Sequence, residues 1–105
     1  MRIAIPVEEP SFEGEICEHF GRARYFAVFS VKEGMLNGAE LIELPEEHEA
    51  GELPRLLKEK NVDVVLANRV GRKALAHFQS LGISVVTGLE GRAVEVVKAF
   101  LEGKD

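Results

Sequence analysis

Apolar residues recur along this chain with two different periods, and the switch between them sets the order of elements. Residues 2–7 read Arg-Ile-Ala-Ile-Pro-Val, a short buried strand with Pro6 placed at its far end. Residues 25–31, Tyr-Phe-Ala-Val-Phe-Ser-Val, are aromatic and β-branched and predict a second strand. A connection over 32–38, with Asn37-Gly38 as its turn signal, leads to an edge-like third strand over 39–44 that Pro45 ends. After Gly51 the period becomes helical. Leu53, Leu56 and Leu57, with Pro54 in the first turn, predict a helix over 52–60 closed by a left-handed Asn61. Residues 62–67 are almost continuously apolar, as central parallel strands are. Val70, Ala74, Phe78 and Leu81 mark a helix over 70–81 stopped by Gly82, and a short parallel strand follows over 83–86. A final helix over 93–101 would turn Val94, Val97 and Leu101 inward.

The first three strands are joined by segments that leave no room for a crossover helix, so they are antiparallel neighbours. The last two strands arrive through helices and should run parallel by right-handed crossovers. The expected fold is therefore α/β: a five-stranded mixed sheet of order 3-2-1-4-5, strand 2 opposed to the rest, helices on both faces. This is a ribonuclease H-like arrangement, expected as a single domain over 1–105.

Composition narrows the function classes. A net charge of −5 argues against general nucleic-acid binding, which needs a face of lysines and arginines. Apolar runs are too short to span a membrane, and the opening strand is too short for a secretory leader, so the expected compartment is the cytoplasm. A lone cysteine, Cys17, fits a reducing compartment. The edge strand is compatible with a monomer or a weak homodimer, its Glu40 and Glu43 opposing self-pairing.

Candidate chemistry gathers where the strand ends meet. In the expected topology one edge of the sheet collects residues 8–24, 45–51, 68–72 and 87–92. A crevice should open there between strands 1 and 4, where open sheets bind ligands. Its candidate lining is Cys17, His19, His48, Asn68 and Gly71. The helix beginning near Val70 would aim free N–H groups into it, Gly71 allowing close approach, with Arg69, Arg72 and Lys73 adding positive charge. Such a wall favours an anion, while thiol and imidazole suit iron, copper or zinc, so together they favour an anionic metal cluster over a bare ion.

Catalytic readings lack their parts. The first strand carries no acid to hold nuclease metals. No phosphate-binding loop or dinucleotide fingerprint is present. Cys17 and His19 lack a third, orienting group for nucleophilic catalysis. Blander roles exist for each residue: His19 could hydrogen-bond backbone to fix its turn, Cys17 could be a small packed side chain, and His48 and His77 could be solvated or boundary residues. One thiol and one imidazole do not complete a four-ligand zinc site.

The opening Arg2 to Val7 strand, the His19-Phe20-Gly21-Arg22-Ala23 box followed by Tyr25-Phe26, the Val62 to Val65 strand, Gly71 with Ala74, and Gly82-Ile83-Ser84-Val85 together resemble the dinitrogenase iron-molybdenum cofactor biosynthesis family. That group contains NifX, NifY and the carboxy-terminal domain of NifB. The resemblance implies a non-enzymatic domain that binds or carries an iron-sulfur or iron-molybdenum cofactor type cluster, working with a cluster donor or acceptor protein. Cofactor-binding candidates are then His19, Cys17, Phe20, Gly21, Arg22, Asn68, Arg69 and Gly71, with His19 and Cys17 as metal ligands. Cys17-Glu18 stands where small polar residues are commoner in the family, so Cys17 rests on its chemistry alone. The alternative is a regulatory or protein-interaction module that binds no metal, and takes at most a small anion.

Overall fold

A computed structural model describes residues 1–46 and 51–103. Its elements are β1 (Arg2–Val7), β2 (Tyr25–Lys32), β3 (Met35–Glu43), α1 (Glu52–Glu59), β4 (Val64–Leu66), α2 (Arg72–Leu81), β5 (Ser84–Val86) and α3 (Ala93–Leu101), with a 3-10 turn over Phe20–Arg22. The sheet order is β3-β2-β1-β4-β5. β2 runs antiparallel to both β1 and β3, whereas β4 is parallel to β1 and to β5.

Strand alternation splits the core into two layers. Ala4, Phe26, Val28 and Val65 face α1 and α2, whose Leu53, Leu57 and Phe78 close that side. Ile3, Ile5, Val7, Ala27 and Phe29 face α3, through Ala93 and Val97. The inward face of α3 also includes Val96, Phe100 and Leu101. Val94, expected inward, is only half-buried and is not among the residues packed against that layer; its amide donates to the Phe12 carbonyl at the helix start.

The hairpin differs from expectation. Its turn is Glu33-Gly34, at φ 55° and 78°, between the paired residues Lys32 and Met35. Two successive left-handed residues give the twist that a two-residue hairpin needs. Asn37-Gly38 lies inside β3 instead. Ser30 pairs with Gly38 and Val31 with Leu36, so Asn37 is the extra residue of a bulge beside Gly38 at φ 146°. Asn61 (φ 61°) and Gly82 (φ 75°) do close their helices in the left-handed conformation.

Pro6 costs the sheet little. The Val31 amide donates to the Met1 carbonyl, so odd-numbered residues of β1 bond β2 and Pro6 turns its missing donor toward β4. On that side the ladder pairs only Ile3 and Ala4. Arg2 ties the opposite end of the sheet together. Its guanidinium donates to the Lys60 carbonyl, the Ser30 hydroxyl and the Glu40 carboxylate.

Candidate functional site

Beyond Ala4, β1 and β4 no longer pair, and their end groups need other partners. The chain supplies them itself. The Cys17 amide donates to the Pro6 carbonyl at 2.9 Å, the Arg69 amide to Glu18 at 3.1 Å, and the Phe20 amide to Arg69 at 2.9 Å. His19 and Arg69 thus form a parallel bridge. The crevice expected between β1 and β4 is therefore filled by residues 17–20, and its walls become the two sides of that inserted segment.

Phe20 holds the segment down. Its ring is buried, with centroids 5.4 Å from Phe26 and 5.3 Å, edge-on, from Phe78. Phe20 is thus turned to the core and anchors the loop, while His19 is half-buried and Gly21 and Arg22 are exposed. The His19 imidazole caps no turn and makes no hydrogen bond among the described residues. Its ring fixes no turn among the described residues; the main-chain bonds of residues 18–23 do that work.

Cys17 is half-buried, and its thiol donates to the His19 carbonyl at 3.3 Å. Burial, reinforced by the Glu8 and Glu18 carboxylates, pushes the thiol's pKa up, with the Arg22 charge acting the other way. At neutral pH Cys17 is a thiol, and a metal would have to displace its proton.

The two sides of the inserted segment differ in charge. Toward α3, a hollow of about 370 Å³ is lined by Glu8, Glu15, Ile16, Glu18, Asn68, Glu90 and Gly91. Asn68, expected beside an anion, sits against these carboxylates, and its carbonyl accepts from Gly88. Toward α2, Arg22, Arg69, Arg72 and Lys73 are exposed and form no ion pair among the described residues. α2 begins at Gly71 (φ −66°, ψ 158°) without a side-chain cap. Among the described residues, no carbonyl from outside the helix receives the first-turn amides of Arg72, Lys73 or Ala74.

Two glycines on this side have no reason in the fold to be glycine. A Cβ at Gly21 or Gly71 would meet nothing within 4 Å, and neither has positive φ. Gly51 contrasts with them: a Cβ there would lie 3.1 Å from the His77 ring, which packs across the start of α1. His48, expected in the lining, lies outside the described residues. Among the described residues no three His, Cys, Asp or Glu side chains converge as a metal-ion site.

Residues 1–103 match the family described as Dinitrogenase iron-molybdenum cofactor. The chain belongs to that family. Among solved structures it is similar to the crystal structure of PH0822, 42% identical, with a TM-score of 0.94, covering 99% of this chain and 91% of that one. It is also similar to the apo form of the orange protein from Desulfovibrio gigas, 32% identical, with a TM-score of 0.82, covering 98% and 88%. A further relative is the uncharacterized protein MJ0580 of Methanocaldococcus jannaschii, 30% identical over 108 residues, covering 99% of this chain and 88% of that one. Membership ties the chain to cofactor-cluster handling, and no helix among the described residues is long and apolar enough to cross a membrane.

Proposed function

We propose that this chain is a non-enzymatic binding or carrier domain for an anionic iron-sulfur or iron-molybdenum type cluster, held on the α2 side of residues 17–22. The reading extends to a single ribonuclease H-like domain in the cytoplasm, passing the cluster between donor and acceptor proteins. One observation supports it above the rest: the main-chain bridge between His19 and Arg69 brings His19, whose imidazole makes no hydrogen bond among the described residues, to the segment leading into a helix start whose first-turn amides and neighbouring cations have no partner among the described residues. Cations in a first turn oppose the helix dipole by roughly 0.3–1 kcal/mol each, a cost that a bound anion would offset. His19 supplies the direct metal contact, Gly21 and Gly71 the room for close approach, and Arg22 and Arg69 the counter-charge. Cys17 joins only if binding displaces its proton, and Phe20 acts by holding His19 in place.

The rival reading, a module that takes a small anion or a protein partner and no metal, is favoured by the protonated thiol and by the lack of a three-ligand set among the described residues. Anaerobic reconstitution with iron and sulfide, followed by metal analysis of the gel-filtered protein, separates the two. Stoichiometric iron and sulfide in the parent, lost in a folded His19→Ala variant, is the carrier outcome. A parent that retains neither, while keeping its circular dichroism spectrum, leaves the rival.

A further inference from the structure

β3 is an edge strand of nine residues and almost wholly exposed. It carries Met35, Leu36 and Leu41, which are 72%, 38% and 38% exposed. The Leu44 amide donates to Arg24, so even-numbered residues of this strand bond β2. Ala39, Leu41 and Glu43 therefore turn their N–H and C=O groups outward, toward no neighbour in the sheet.

We propose that two copies of this chain pair through this free edge, antiparallel and two-fold about Leu41. The boundaries of the regular strand select the register. On one side the Asn37 bulge and Gly38 break the ladder, and on the other β3 ends at Glu43 before Pro45. The straight stretch between them is residues 39–43. Its midpoint, Leu41, is one of the outward-bonding residues, so a two-fold there lets the outward groups of Ala39, Leu41 and Glu43 all find partners.

The charges fit that register. Glu40, which would otherwise guard the edge, is held by Arg2 of its own chain. Each Glu43 falls opposite Ala39 of the second copy, each Glu40 opposite Ile42, and the two Leu41 side chains meet on the α3 face. No carboxylate lies directly opposite another, and the two Glu40 side chains, diagonal across the two-fold, are each paired with Arg2 of their own chain. A two-fold about Glu43 would oppose two glutamates, and one about Glu40 likewise, which like-charge pairing disfavours. A second copy is thus the occupant committed to, over an extended peptide from another protein. Five residues a side make a small contact, so the dimer is weak and concentration-dependent. Because each chain carries a net charge of −5, the association strengthens as salt screens the repulsion.

The test combines light scattering with register-specific crosslinking. Mass is followed from about 10 µM to about 1 mM protein, a range suited to weak interfaces. The expected result is a rise toward the dimer, greater at high salt, with Leu41→Lys weakening association about tenfold or more by placing two ammonium groups at the two-fold. In a Cys17→Ser background, Leu41→Cys should form an intermolecular disulfide, its Cα atoms being about 5.5 Å apart across a hydrogen-bonded pair. Glu43→Cys should not, because its two copies lie about 14 Å apart along the strands. A parent that stays monomeric throughout, association unchanged by Leu41→Lys in a folded protein, or crosslinking through Glu43→Cys in preference to Leu41→Cys would each overturn the proposal. A natural peptide partner would appear as the first of these, a monomer.

Discussion

The starts of α2 and α3 lie at the same edge of the sheet, and the chain treats them in opposite ways. At α3 the first-turn amides of Ala93 and Val94 donate to the carbonyls of Gly14 and Phe12, at 2.9 and 3.0 Å. Glu15 forms a bridge with Arg92, and Ile16 donates to Gly91, so residues 12–16 form a lid over that helix start. At α2 nothing equivalent exists among the described residues: no cap, an exposed Gly71 and unpaired cations. The first-turn donors of α2 are thus left to water or a ligand, whereas two of those of α3 are already bonded by residues 12–16.

Changes that attack the anchoring of each helix should have the largest effects. Phe78→Ala removes the buried ring that fixes α2 under Phe20, and should destabilise the protein by about 3–5 kcal/mol in denaturant unfolding. Any ligand-binding loss in that variant should accompany loss of the His19 loop's order. Gly14→Val should cost about 1–3 kcal/mol, because a Cβ at Gly14 already lies 3.1 Å from the Ser11 carbonyl oxygen and 3.3 Å from that of Glu9. The α3 cap cannot move without losing its bonds. The matching changes on the α2 side, Gly71→Val and Gly21→Ala, should shift stability by no more than about 1 kcal/mol in either direction, since open space surrounds both positions. Iron and sulfide retention should nevertheless fall in both, which would separate a ligand-facing purpose from a structural one.

The smallest effect concerns Cys17. Its folded pKa lies above the unfolded value, so its contribution to stability is fully present below the ordinary thiol pKa and is lost as pH rises through the folded one. Parent and Cys17→Ala should show a constant stability difference at neutral pH. Above the ordinary thiol pKa, the parent should decline relative to the variant. Alkylation of Cys17 should likewise inflect at a higher pH than a free thiol does.

Much of this arrangement was legible in the sequence, and what escaped has a common cause. The sheet order followed from connection lengths, since the segments joining the first three strands could hold no crossover helix. Asn61 and Gly82 signalled their helix ends because positive φ restricts residue type. The position of the hairpin turn is less legible for the same kind of reason. Asn37-Gly38 has the strongest turn signature, but that chemistry serves a bulge equally well, and Glu33-Gly34 took the turn. At the site, the meeting of the His19 loop with the residues after β4 was foreseen from topology. The filling of the crevice by residues 17–20 and the capping of α3 by Phe12 and Gly14 were not, because both use main-chain groups that every residue type carries.

The most direct test of the contrast between the two helix starts is amide NMR of the isotope-labelled protein before and after loading with iron and sulfide. Loading should shift or broaden the amides of residues 19–22 and 71–74, leaving Ala93 and Val94, whose donors are already bonded, unchanged. Perturbation centred on residues 91–94 and the glutamate-lined hollow, with residues 71–74 untouched, would contradict the account.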